Sequence, residues 1–207
     1  MIQPPNYIHN QYKINVRHSN GQIDTPTEEA ITHAAWLERE ATNMGLPKTS
    51  VLDAGCRTGY ALPVLSKSFD RVVGCDIVPE FVAIASTRGD AIEADLHSLP
   101  FQDQEFDWVM CTGTIEHCYD IDKAVSELFR VAKVGVFILT DMQSQEEFDR
   151  NPSHYVRHDT PEEWITVFKR EGWHLVSLAV PSRTFFHGLW LRPEYMQQLN
   201  RGLSWYL

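Results

Sequence analysis

The sequence predicts an α/β chain: a three-layer αβα sandwich on a seven-stranded, mostly parallel sheet with an antiparallel C-terminal hairpin strand. Three observations carry this. Between positions 51 and 141, short apolar runs alternate with amphipathic stretches, the pattern of parallel strands joined by crossover helices. The run "VGVFILTD" (134–141) is almost continuously apolar, as a strand covered on both faces must be. After residue 172 two strand-like runs are separated by a Pro-Ser link. That link is too short for a helical crossover, so the runs pair as an antiparallel hairpin.

The elements follow in order. Residues 1–24 are polar, with Pro, Asn and Gly, and read as a loose arm or a lid whose Tyr7, His9 and Tyr12 fold over a site. A single domain is expected over 25–191, and a tail with a short helix over 192–207. "TPTEEAITHAAWLEREATNMG" opens with Thr25 as N-cap, Pro26 in the first helical position and Glu28 closing a capping box; Gly45 ends the helix. "SVLDAG", "RVVGCDI", "AIEADL", "FDWVMCTG" and "VGVFILTD" are strands. "GYALPVLSKSF", "PEFVAIASTR" and "DIDKAVSELFRVA" are the helices between them, the last with Ala124, Val125, Leu128, Phe129 and Val131 as its apolar side. "TPEEWITVFKREG" is a second boxed helix, with Thr160 as cap and Glu163 closing the box. "WHLVSLAV" and "RTFFHGLWL" form the hairpin, with Phe185, Phe186 and Trp190 in its core.

Composition narrows the function classes. A chain of 207 residues, 43% hydrophobic and 22% charged, suits one folded domain. A net charge of -10 opposes broad nucleic-acid binding, which depends on Lys and Arg neutralising phosphates. No apolar run reaches the roughly 20 residues of a membrane helix, and the N-terminus lacks a signal-peptide pattern. Cys56, Cys75, Cys111 and Cys118 show no metal-binding or redox spacing. They read as buried, reduced thiols in a cytoplasmic protein.

The turn Asp53-Ala54-Gly55-Cys56-Arg57-Thr58-Gly59 poses the functional question. A dinucleotide fingerprint needs glycine where Arg57 and Tyr60 stand, and a P-loop needs Gly-Lys-Ser/Thr, which is absent. A strand-end acid followed by G-x-x-x-G suits a ligand without phosphate, such as the amino-acid part of S-adenosylmethionine. Its ammonium can meet a carboxylate and backbone carbonyls, while glycine admits close backbone approach. The next strand ends at Asp76, placed to accept two ribose hydroxyls. The third ends at Asp95, placed for the adenine amino group, with the Leu96 amide facing the ring.

From about 51 to 180 the chain resembles the class I (Rossmann-like) S-adenosylmethionine-dependent methyltransferases, in particular the methyltransferase type 11-like group. "VLDAGCRTG" looks like that family's first motif and "VVGCDIVPEFVAIA" like its second. "LPFQDQEFDWV" and the Glu116-His117 pair after a strand are the most specific pieces. The resemblance implies S-adenosyl-L-methionine as cofactor, bound by Asp53, Gly55, Cys56, Gly59, Asp76, Ile77, Asp95, Leu96 and Thr112, with Thr112 to Thr114 beside the methyl group. Each acid also has a plain reading as a turn or helix cap, and Ile77 as core. Two departures stand out. Arg57 replaces the usual middle glycine, with the option of pointing away and pairing with an acid. "KVGV" replaces the usual turn before the fifth strand.

His117 is the catalytic candidate, as general base toward an O, N or C acceptor, or else as a loop-shaping residue. No metal is expected. Gly113-Thr114-Ile115-Glu116-His117 lacks the first acid of the E-x-x-E-H run some relatives carry, and His154 and His158 have no third ligand nearby. The loop with His154, Tyr155, Arg157 and His158 is expected to face substrate. No D/N-P-P-Y/F motif follows the fourth strand, and no Pro-Cys nucleophile occurs. The expected acceptor is therefore a small molecule rather than nucleic acid. A non-catalytic cofactor-binding module, a methyltransferase acting on a macromolecule, and a dinucleotide-dependent oxidoreductase are the rivals.

Overall fold

The structure, a computed structural model, describes residues 28–142, 160–170, 172–182 and 185–202, with Ile23, Asp24 and Pro26. The arm residues Tyr7, His9 and Tyr12, the cap at Thr25, and the loop with His154, Tyr155, Arg157 and His158 lie outside the described residues.

The chain runs α1 (Glu28–Asn43), β1 (Ser50–Ala54), α2 (Leu62–Leu65), β2 (Arg71–Asp76), α3 (Pro79–Ala85), β3 (Asp90–Glu93) and β4 (Phe106–Thr112). A 3-10 turn at Ile115–His117 leads to α4 (Ile121–Val131), β5 (Ala132–Asp141), α5 (Pro161–Phe168), β6 (His174–Ser182), β7 (Phe185–Leu191) and α6 (Pro193–Gly202). The strands form one sheet in the order β3-β2-β1-β4-β5-β7-β6. Pairs among β1 to β5 are parallel, and β7 lies antiparallel between β5 and β6. The chain steps outward from β1 to β3, then returns to the other side of β1 with β4. That reversal opens a crevice at the C-terminal ends of β1 and β4, where open sheets bind ligands.

Alternation along each strand sorts the core onto two faces. On one, Val51, Trp108, Met110, Phe137 and Leu139 pack with Ala34, Leu37 and Ala41 of α1, and Tyr195, Met196 and Leu199 of α6 join them. On the other, Leu52, Val109, Cys111, Val136 and Ile138 pack with Val125 and Leu128 of α4 and Trp164 and Phe168 of α5. Phe186 and Trp190 are buried on this second face, as the aromatic hairpin run predicts. All four cysteines are buried and none forms a disulfide.

Most ends follow local chemistry. Thr160 Oγ1 accepts from the Glu163 N–H at 3.3 Å, and the Thr160 N–H donates to Glu163 Oε2 at 3.1 Å, completing the expected capping box. Gly45, at φ +63, closes α1: its N–H donates to Thr42 O and that of Leu46 to Ala41 O. Two boundaries differ from expectation. Helix α1 begins at Glu28, so Pro26 lies before the helix rather than in its first turn. Helix α2 spans only Leu62–Leu65, because the hydrogen bonds up to Phe69 mix three- and four-residue spacings and tighten the coil.

The "KVGV" run lies inside β5 rather than in a turn before it, and Gly135 has a packing role there. It pairs with Trp108 on β4, and a Cβ there would run into the Trp108 ring and, at 2.9 Å, into Leu191. The fully buried indole, which donates to Pro47 O at 2.7 Å, fills the space that glycine leaves. Gly135→Ala is expected to destabilise the fold by about 1–3 kcal/mol through overpacking. Urea unfolding checks this, and an unchanged midpoint would contradict it.

Candidate functional site

The crevice is built by hanging the turn after β1 from the end of β2. The N–H groups of Gly55 and Cys56 both donate to Cys75 O, at 2.8 and 2.9 Å. The Arg57 N–H donates to Asp76 Oδ2 and the Val78 N–H to Asp76 Oδ1, each at 2.9 Å. Gly55 (φ +86) and Gly59 (φ +78) have left-handed backbone that favours glycine. Packing demands them as well. A Cβ on Gly55 would collide with the Thr114 side chain, and one on Gly59 would come within 2.9 Å of Ala85 on α3.

Arg57 takes the middle position at φ +49, a conformation uncommon for a residue with a side chain. Its guanidinium lies 5.9 Å from the Phe81 ring centroid. Burial lowers its pKa, opposed by the charges of Asp76 and Asp24. It thus packs against α3 in the field of two acids. Cys56 is engaged within the turn: its N–H reaches Cys75 O, its carbonyl accepts from the Gly59 N–H, and its thiol packs beside Gly74.

Asp53 is 3% exposed at the centre of this arrangement. Burial, with the charge of Asp76 adding to it, pushes its carboxyl up to about 7. Burial also raises Asp76, to about 6, opposed by the N–H groups of Val78, Arg57 and Ile77 and by the Arg57 charge. Two acids at adjacent strand ends thus both stand above the usual carboxylate range. Ile77 is partly exposed at the rim rather than in the core.

At the end of β3, Leu96 is buried in the core, while Asp95 is partly exposed and bonded to His97. The His97 ring is 2% exposed and stacks on Tyr119, centroids 3.8 Å apart. Its Nε2 accepts the Asp120 N–H at 3.2 Å. In the neutral ring the proton therefore sits on Nδ1, facing Asp95 Oδ1. Burial raises the Asp95 pKa, but the His97 hydrogen bonds and the charges of His97 and Lys123 outweigh it and leave a net lowering. The sequence reading missed His97; the Asp-x-His spacing, which turns Asp95 Oδ1 onto its N–H, was the available signal.

At the end of β4, Thr112 is partly exposed and Thr114 Oγ1 donates to Thr112 O at 3.1 Å. His117 is partly exposed on the turn that follows, its N–H donating to Thr114 O. Its neighbour Glu116 is 2% exposed and accepts from Thr140 Oγ1 at 3.0 Å. Burial pushes Glu116 up to about 7, against the hydrogen bonds of Thr140 and the backbone. Glu116 thus ties the turn to β5. Among the described residues, no three His, Cys, Asp or Glu are placed to share a metal ion.

The raised Asp53 carboxyl gives a pH prediction. Its folded pKa lies above the unfolded value, so folding takes up a proton between about pH 4 and 7. Stability from this group is full at low pH and is lost as pH rises through 7. Asp53→Asn is therefore expected to gain stability relative to the parent between pH 5 and pH 8, by on the order of 1–3 kcal/mol. Denaturant midpoints at the two pH values test it, and a difference that does not grow with pH contradicts it.

Comparison with known proteins adds to this geometry. A family model described as a methyltransferase domain matches residues 52–140. The chain is 33% identical over 138 residues to an uncharacterised methyltransferase, YcgJ, of Bacillus subtilis (strain 168), covering 57% of this chain and 54% of that protein. It is 33% identical over 121 residues to the tRNA (carboxymethyluridine(34)-5-O)-methyltransferase of Arabidopsis thaliana, covering 56% of this chain and 30% of that protein. The chain thus spans about half the length, or less, of these curated relatives. Magnesium protoporphyrin IX methyltransferase of Synechocystis PCC 6803, solved with bound SAH, shares the fold at TM-score 0.67 and 16% identity, over 90% of this chain and 97% of that one. The matched block spans β1 to β5 with the glycine turn and all three strand-end acids, and the chain has the fold of these methyltransferases.

Proposed function

We propose that this protein is an S-adenosyl-L-methionine-dependent methyltransferase that moves a methyl group to an O, N or C atom of a small molecule. The observation that carries the reading is the buried Asp53 carboxyl, raised to about 7 beside a glycine turn that lacks a phosphate fingerprint. A carboxyl so placed fits a cationic amino-acid group better than a phosphate. The cofactor, when bound, supplies a methyl group activated by a positive sulfur.

The chain's own residues bind, orient and exclude water. Asp53 holds the ammonium end at the main chain of Gly55, Cys56 and Gly59. Asp76 takes the ribose hydroxyls with the lone pairs its backbone N–H donors leave. Asp95, oriented by His97, takes the adenine amino group, Leu96 offers its N–H, and Ile77 covers the ring. Thr112 lies beside the methyl group, and His117 receives the acceptor's proton where there is one to lose. Positioning supplies most of the rate where there is none.

The net charge of -10 supports a small-molecule acceptor. The likeness to a tRNA methyltransferase supports a second reading, a macromolecular acceptor, which an acceptor screen separates from the first. The domain reading keeps 25–191 as the methyltransferase domain, 1–24 as an arm or lid and 192–207 as a tail. Among the described residues no helix is long and apolar enough to cross a membrane. Buried thiols without disulfides suit the cytoplasm.

Calorimetry tests the cofactor. S-adenosylmethionine and S-adenosylhomocysteine are expected to bind at micromolar concentration and NAD not at all; no binding of the first two would overturn the reading. Asp76→Ala should weaken cofactor binding by about 1.5–3 kcal/mol, roughly 10- to 150-fold in Kd. His117→Ala should lower turnover at least tenfold and leave cofactor Kd unchanged; an unchanged rate on a true acceptor would make His117 a loop-shaping residue.

A further inference from the structure

Two imidazoles stand outside the crevice. His33 of α1 and His187 of β7 have ring centroids 6.5 Å apart. Trp36, one helical turn beyond His33, lies 5.6 Å from His187 and 4.7 Å from Phe137. Phe137 completes the group, 6.2 Å from His33 and 6.0 Å from His187. Phe137 is fully buried, while His33, Trp36 and His187 are partly exposed, so the cluster runs from core to rim. His33 Nδ1 is buried and, among the described residues, meets no hydrogen-bonding partner. A polar atom left so costs about 1–3 kcal/mol, and its persistence in a fold calls for a task.

The sheet register locates the cluster. Thr112 pairs with Leu139, and Leu139 pairs with His187, so the three form one row across β4, β5 and β7. Two strand spacings put His187 about 10 Å from Thr112. Met110, two residues before Thr112, and Leu139 both pack on the α1 face, so the row leans toward α1. The imidazole pair therefore borders the same side of the sheet on which the methyl group is read to emerge.

Resting on that reading of the methyl position, we propose that His33 and His187 form a specificity subsite that grips a hydroxyl at the far end of a planar aromatic acceptor. Burial keeps both imidazoles below the usual histidine range, and for His33 the charge of His187 adds to this. Near neutral pH each ring is uncharged, with one N–H donor and one nitrogen acceptor. A hydroxyl is the matching partner, since it accepts from one ring and donates to the other. Hydrogen-bond distance puts such an oxygen about 4 Å from each ring centroid, and two such reaches span the 6.5 Å gap. Uncharged imidazoles hold an anionic phosphate poorly, which sets a phenol-like acceptor above a nucleotide. Trp36 supplies a flat apolar wall, and the distance from Thr112 sets the acceptor's length at roughly one to two rings.

The test uses the full chain saturated with S-adenosylhomocysteine, titrated with phenol and, separately, toluene. Imidazole signals are followed by NMR and assigned with His33→Gln and His187→Gln. Phenol is expected to shift both signals saturably, at least fivefold more tightly than toluene. His33→Ala should abolish that preference and leave the S-adenosylhomocysteine Kd within twofold. His187→Gln, which keeps the side-chain bulk, should also lose it. Phenol shifting neither signal, or toluene binding as well as phenol, overturns the proposal. Failure of the cofactor reading looks different: no uptake of S-adenosylhomocysteine, with phenol on the unloaded protein still shifting both imidazoles.

Discussion

Two N–H groups, those of Gly55 and Cys56, converge on one acceptor, the Cys75 carbonyl at the end of β2. With the Arg57 N–H on the Asp76 carboxylate, they fasten the turn after β1 to the neighbouring strand at three points. The rest of the crevice depends on this. The turn cannot move outward without breaking bonds in a region where β1 and β2 are almost wholly buried. It also explains how an arginine occupies a glycine-like position. Left-handed backbone costs a side-chain residue about 1–2 kcal/mol. A hydrogen bond to a charged group contributes about 1.5–3 kcal/mol, so the Asp76 contact offsets the strain. The side chain needs only a place outside the turn, and the Phe81 ring supplies it.

The same fastening brings two acids together. Three backbone N–H groups oppose the effect of burial on Asp76, whereas burial and the neighbouring charge act in the same direction on Asp53. Burial thus acts less opposed on Asp53 than on Asp76. Burying the two acids side by side therefore carries an electrostatic cost, which a cation at Asp53 would relieve.

Legibility in the sequence followed the range of the interactions. The alternation of β4 and β5, the apolar side of α4 and the Thr160–Glu163 box are local patterns, and each appears where the residues place it. The strand-end acids were legible because strand ends are. The short α2 was not, because Pro63 and the serines after it allow a regular helix and a tightened coil alike. The role of Glu116 was hidden too. Its place beside His117 in the sequence carries no sign of burial, and only its position against Thr140 of β5 shows it buried. His33 and His187 are 154 positions apart, and no spacing rule connects them; the antiparallel register of β7 on β5 does.

The segment after β4 shows how these ties serve the chemistry. Glu116 holds its start against β5 through Thr140, and the Asp120 N–H holds its far end on His97, which in turn fixes Asp95. Both anchors are almost fully buried, at 2% exposure each, so water competes little for either bond. His117 sits between them, partly exposed, on a 3-10 turn too short to wander. In a reaction whose activated group arrives with the cofactor, the protein's work is to hold two molecules in line. His117, the proposed proton acceptor, lies on a segment anchored at both ends, which meets that requirement. The His97 link also makes the orientation of Asp95 and the placement of His117, the proposed base, one structural condition.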